Sequence, residues 1–259
     1  MHLNEANLTN LTGLWKKYGS CLGNTLPFVY SNARWPYRCW IERSGEAITY
    51  GMQELVDDFT WLNNIPSSAI LPVWQITKES RPDATTVLAL QLLDKYLLEN
   101  NWRCSFEQLA MYLELPTCSS YLVKPRSGFL VIPVRTLAEV KIWVEIGSAA
   151  FNYKIDYGVI EGLRDDEDIQ MLLGWQDGQA VCCALMYKTG EFIGIHQVGV
   201  KQVFQGQGIA RCFMQHIIQR SVQWQGKYVV LQASQLGRPL YESLGFNAQF
   251  KIKNYQKRN

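Results

Sequence analysis

Apolar positions in the second half of the chain alternate between a period of two and a helical period, and turn residues mark most of the switches. Residues 129–134 (FLVIPV) read as a strand. Thr136, with Glu139 three residues on, has the form of a capping box and predicts a helix to about Ala150. An acidic stretch at 164–168 leads to an apolar run at 171–175, and Asp177-Gly178 then predicts a hairpin turn into a strand at 180–187. Thr189-Gly190 gives the next turn, and Phe192–Val200 (FIGIHQVGV) the next strand. A glycine-rich turn follows. After it Ile209, Cys212, Phe213 and Ile217 fall at helical spacing, in a helix expected to run to about Gln225 and stop at Gly226. A strand at 228–233, a short helix near 240–244 ended by Gly245 and a closing strand at 246–252 complete the pattern. The series predicts the α/β class: a mixed sheet with helices packed on its faces.

The first half is less periodic. Helices are expected at 8–18 and 84–100, and a strand at 69–75. Residues 104–115 read as a strand, although 106–113 would also continue as helix. Residues 117–128 (TCSSYLVKPRSG) concentrate Ser, Pro and Gly between the two periodic regions and mark a linker or long loop. The resulting domain expectation is a smaller α+β domain at 1–122 and a second domain at 123–259.

Composition narrows the function classes. With 47% apolar and 19% charged residues the chain is globular, and its net charge of +2 offers no strong signal for nucleic acid. Neither a signal peptide nor a membrane helix is legible, so a cytoplasmic setting is expected. Seven cysteines, with no C-x-x-C pair, read as reduced thiols and not as a metal or redox site. Asn7-Leu8-Thr9 and Asn10-Leu11-Thr12 match the glycosylation acceptor pattern and are read as coincidence. Trp35, Tyr37, Trp40, Trp61 and Trp74 fit either core packing or an aromatic-lined cleft.

The candidate chemistry begins at the turn Gln205, Gly206, Gln207, Gly208, Ile209, Ala210. Two glycines at a strand-to-helix junction let backbone approach a ligand closely. The first amides of the new helix lack intrahelical partners and lie at the positive end of its dipole, which suits a phosphate. This turn and the block LQASQLGRPLYESLGF at 231–246 resemble, in that order, two motifs of the GNAT superfamily of acyl-CoA-dependent N-acyltransferases. Gln205, Gly208 and Ala210 fill the positions of the family's R/Q-x-x-G-x-G/A loop, and 240–246 those of its L-Y-x-x-L-G-F block.

The resemblance covers about half the chain and implies an N-acetyltransferase that uses acetyl-CoA as co-substrate and a primary amine of a small molecule or protein as acceptor. The amine would attack directly in a ternary complex. The loop, with Arg211 beside it, would hold the pyrophosphate. Backbone groups at Val198 and Val200 would pair with the pantetheine arm, and the Val198 N–H would steady the oxyanion. Tyr241 occupies the tyrosine placed in many relatives to protonate the leaving sulfur.

The strand before the loop has no carboxylate, so His196 is the first candidate base, with Glu145 and Asp156 as alternatives. Strict alternation would put His196 on one face with Val198 and Val200. Gln232 and Ser234 either line the acceptor pocket or cap the strand end or the next helix. No metal, nucleic acid or membrane partner is expected, and both monomer and oligomer remain open. Two other functions remain: a non-catalytic acyl-CoA-binding or sensing module, and transfer of a longer acyl chain. The first half reads as a degenerate GNAT-like repeat or as an unrelated α+β domain.

Overall fold

The computed structural model describes residues 3–22, 29–43, 46–47, 62–63, 65–75, 84–116 and 126–258. They form two compact units: Met1–Met111 with Gln232–Tyr241 and Ala248–Asn259, and Tyr112–Leu231 with Glu242–Asn247.

The first unit opens on α1 (Leu3–Lys17), whose Leu8, Leu11, Leu14 and Trp15 are buried. The antiparallel strands β1 (Ser20–Leu22), β2 (Val29–Asn32), β3 (Cys39–Arg43) and β4 (Glu46–Ala47) follow. They are too short to leave a readable alternation in the sequence. Aromatic packing holds this part: Trp15 meets Trp40 edge-on at 5.2 Å, and Tyr30 stacks on Trp40 at 5.5 Å. Trp35, Trp40 and Trp74 are buried and Tyr37 is exposed, whereas Trp61 lies outside the described residues. Asn7 and Asn10 are also buried, so neither is presented as a glycan acceptor in this fold.

β5 (Leu71–Trp74), α2 (Ala84–Glu99), β6 (Trp102–Glu114) and β12 (Asn247–Lys257) complete the main elements of this unit, with β12 antiparallel to β5. Leu71, Val73, Leu93, Leu97, Trp102 and Tyr255 share one core. The stretch at 104–115, open between strand and helix in the sequence, is strand. The expected joint at 117–128 lies outside the described residues up to 125.

The second unit carries β7 (Phe129–Pro133), α3 (Leu137–Phe151), α4 (Tyr157–Glu161), β8 (Ile169–Gln176), β9 (Gln179–Thr189), β10 (Phe192–Val200), α5 (Ile209–Gln223) and the start of β11 (Tyr228–Ser234). Its strands lie in the order β11-β10-β9-β8-β7. Only β10 and β11 run parallel; the other neighbouring pairs are antiparallel, which gives the mixed sheet expected. The capping box at Thr136 is formed in full, with the Glu139 carboxylate accepting from the Arg135 and Thr136 amides at 2.8 and 2.9 Å. Those bonds hold the Glu139 carboxyl below its usual range.

Consecutive Cys182 and Cys183 on β9 point to opposite faces. Cys182 lies against Gly174, which also meets Phe213 of α5, whereas Cys183 lies against Gly147 of α3. The two long helices therefore cover opposite faces of this sheet. Burial pushes the Cys183 thiol up to about 12, and Cys182 is also raised, so both stay protonated and unreactive. One helix had no counterpart in the sequence reading: α4, which Asp156 caps by accepting from the Val159 amide at 3.2 Å. A short helix α6 (Arg238–Ser243) begins slightly before its expected place, and β12 runs beyond the expected 252.

Candidate active site

The glycine turn is built as a helix entrance with little side-chain bulk. Gly206 and Gly208 have φ of +74° and +79°, which a residue with a Cβ adopts only under strain, and Gly208 is the N-cap of α5. A Cβ on Gly206 would meet no heavy atom within 4 Å, so the backbone is open there. Both glutamines fold back on the chain: Gln205 Nε2 donates to the Val200 carbonyl at 3.1 Å, and Gln207 Nε2 to that of Val203 at 2.9 Å. Ile209 is buried and anchors the helix start, next to Ala210. Arg211 donates to the Ser243 hydroxyl at 2.8 Å.

A second cation stands at this loop that the sequence reading did not select. Arg126 donates through Nη1 to the Gln207 carbonyl at 2.7 Å and through Nε to Gln176 Oε1 at 2.8 Å. Its guanidinium would lie 3.8 Å from a Cβ on Gly208. Positive side chains, unpaired helix amides and open glycine backbone together fit a dianionic phosphate group. The sequence signal was faint, a lone arginine in a Ser/Pro/Gly stretch.

Upstream, β10 does not keep strict alternation. His196 stands opposite Leu185 and Gly199 opposite Cys183, so Gln197 and Val198 face the single residue between them on β9. This is a β-bulge, with Gln197 at φ +53°. Leu185 and Cys183 share a face, and so therefore do His196 and Gly199; Val200, opposite Cys182, lies on the other face. The expectation that His196 and Val200 share a face is corrected by that one extra residue. The parallel ladder to β11 covers only Phe192–Ile195 against Tyr228–Leu231. Gly199 and Val200 pair with β9 and have no β11 partner among the described pairings.

His196 is 7% exposed, and desolvation lowers its imidazole to about 3. It is neutral at pH 7 and a poor proton acceptor. Protonation in the unfolded chain, with a value near 6.5, is then opposed by the fold down to about pH 3. Native protein binds fewer protons than unfolded protein in that window, so stability rises with pH and falls on acidification. A His196→Gln variant is expected to flatten this slope by up to about 1.4 kcal/mol per pH unit between those values, as measured by urea unfolding at several pH values. An unchanged slope would place the imidazole in water.

Of the alternative bases, Glu145 is exposed on α3 and Asp156 is engaged in the α4 cap. In the first unit, Gln232 Nε2 donates to the buried Asn7 Oδ1 at 2.7 Å, and the Asn7 amide group donates to the Met111 carbonyl at 3.1 Å. The Ser234 hydroxyl accepts from the Gly237 amide at 3.1 Å and closes the turn before α6. Tyr241 on α6 is half-buried, and desolvation pushes its phenol up to about 12. No group of three or more His, Cys, Asp or Glu able to hold a metal occurs among the described residues.

Residues 137–258 match the sequence model of the acetyltransferase (GNAT) domain. Residues 137–258 are a GNAT domain. Similar folds occur in a GCN5-related N-acetyltransferase from Kribbella flavida, at TM-score 0.66 and 13% identity over 98% of this chain and 95% of that one. A functionally unknown conserved protein from Staphylococcus epidermidis gives 0.61 and 15% over 97% and 100%. A GCN5-related N-acetyltransferase from Sphaerobacter thermophilus gives 0.59 and 16% over 90% and 78%. At such identities the likeness is one of fold, and it extends over the N-terminal half as well as the GNAT domain. No curated protein matches the sequence. No helix among the described residues is long and apolar enough to cross a membrane.

Proposed function

We propose that this protein is an N-acetyltransferase that holds acetyl-CoA on residues 205–211 and passes the acetyl group to a primary amine of a small molecule or protein. The observation that carries the proposal is the open glycine turn at the N-terminus of α5, reached by a strand whose ladder to β11 ends at Ile195. The turn suits the pyrophosphate, with Arg126 and Arg211 supplying charge. The strand end, with Val198 and Val200, suits the amide-bearing pantetheine arm.

The amine nitrogen bonds to the thioester carbon, the Val198 N–H stabilises the oxyanion, and the C–S bond breaks. Counting from the ammonium, the nitrogen gives up two protons, one to solvent before attack and one after the N–C bond forms; the sulfur takes one up, and one is released to solvent. The buried His196 imidazole is a far weaker base than an acceptor amine whose ammonium has a pKa of about 10, so it is not the group that takes the amine's proton. The amine enters as its free base, the fraction set by equilibrium with bulk solvent, and His196 takes no part in the proton transfer. Tyr241 stays protonated at neutral pH and donates toward the leaving sulfur. Gln232 and Ser234 border the acceptor, and a cytoplasmic location belongs to the same proposal.

The test is a thiol-release assay with acetyl-CoA across a panel of small amines and N-terminal peptides. Free CoA appearing only with an accepted amine supports transfer. Stabilisation by acetyl-CoA without thiol release from any amine would favour a binding or sensing module instead. Release from a longer acyl-CoA but not from acetyl-CoA would move the donor assignment.

A further inference from the structure

Gln197 is a non-glycine residue at φ +53° inside a strand. The left-handed region is strained for a residue with a Cβ, and glutamine has no local means of offsetting it. Such a conformation persists where the surroundings over-determine it, and it often marks a working site.

The surroundings here come from the end of α3. Asn152, the C-cap of α3, is itself left-handed at φ +55°, and its amide donates to the Ser148 carbonyl. That reversal places Phe151 and Tyr153 beside β10. Their rings stack at 5.6 Å with 17° between planes, and the Tyr153 hydroxyl donates to Gln197 Oε1 at 3.0 Å. At the other end of the bulge, a Cβ on Gly199 would lie 2.9 Å from Ala150 Cβ and 3.5 Å from Phe151 Cε2. The Cys183 thiol reaches the Gln197 carbonyl at 3.8 Å from the neighbouring strand. One turn of chain thus grips the bulge at Gln197 and at Gly199, on either side of Val198.

We propose that Tyr153 is a positioning residue: through Gln197 it fixes the β10 bulge and so aims the Val198 amide. The role rests on the acetyl-transfer reading, in which that amide meets the developing oxyanion. Tyr153 is 44% exposed, so its hydroxyl adds little to the core, and it bonds the Gln197 side chain at the bulge. An amide that wanders still lets the donor bind through the loop, but it serves the transition state less well. The defect therefore falls on turnover and spares donor affinity.

Tyr153→Phe keeps the ring stack and removes only the hydroxyl. The expected result is faster hydrogen exchange at Gln197, Val198 and Gly199 in the unliganded protein, with the exchange of β8 unchanged. Acetyl-CoA should bind within about twofold of wild type, and kcat should fall about fivefold. Gln197→Gly supplies the second arm, because glycine holds this φ without a brace. In that background, Tyr153→Phe should add no further loss of kcat. Exchange at Gln197–Gly199 equal to wild type, or a double variant that loses the same factor again, would overturn the assignment. If the wild type transfers no acetyl group while Tyr153→Phe still loosens exchange at the bulge, the transfer reading fails and the bracing of the bulge stands.

Discussion

Gly208→Val is expected to weaken acetyl-CoA binding about 10- to 100-fold. Gly208 caps α5 at φ +79°, and a β-branched side chain strongly disfavours that region. To relieve the strain, the chain must rotate the peptide that presents the first helix amides, and the anion site turns with it. The new side chain also grows toward the Arg126 guanidinium, which bonds the Gln207 carbonyl. A matched control is available in the same unit. Gly178, in the β8–β9 hairpin, has the same φ of +79°, and nothing lies within 4 Å of its would-be Cβ. Gly178→Val should cost comparable folding stability while leaving acetyl-CoA affinity within about twofold. Calorimetric titration of both variants separates a damaged site from a damaged fold. Equal losses in the two would remove the loop from the account.

Tyr241→Phe is expected to lower kcat about 10- to 100-fold with acetyl-CoA affinity nearly unchanged. The phenol is raised to about 12 by desolvation, so it remains a donor across any practical assay range. Moving its proton fully to a thiolate with a pKa of about 8.5 runs uphill by roughly 3.5 units. Its contribution is then a hydrogen bond to charge developing on sulfur, which puts the effect at or below the lower end of the range for acid catalysis. The pH profile carries the same logic. Activity should rise with pH as the acceptor amine loses its proton near 10, with no falling limb from Tyr241 below about 11. Full activity in Tyr241→Phe would rule the donor role out.

Much of the GNAT domain was legible in the sequence because its elements are long and bounded by turn chemistry. Asp177-Gly178, the Thr136 capping box and Phe192–Val200 all stand where the pattern puts them. The glycine turn was legible for the same reason, since positive φ at a helix entrance leaves glycine as its mark.

The bulge was not legible. Gln197 and Val198 carry no sign of an extra residue, and a strand read by strict alternation put His196 and Val200 on one face. Burial was equally hidden: an imidazole in a strand suggests a base near neutrality, until desolvation takes it to about 3. Arg126 and the Asn7–Gln232 bond were missed because both join residues far apart in sequence. In the first half, strands of two to five residues such as β1 and β4 fall below the length at which periodicity can be read.

The most direct test of the central claim, that residues 205–211 hold the pyrophosphate of CoA, is to compare acetyl-CoA with S-acetylpantetheine by calorimetry and thermal unfolding. The two share the thioester and the arm and differ in the nucleotide and its phosphates. Acetyl-CoA at a hundred times its Kd should add about 2.7 kcal/mol of stability. S-acetylpantetheine should bind at least about 100-fold more weakly. Equal affinity for the two, or no stabilisation by acetyl-CoA, would contradict the claim.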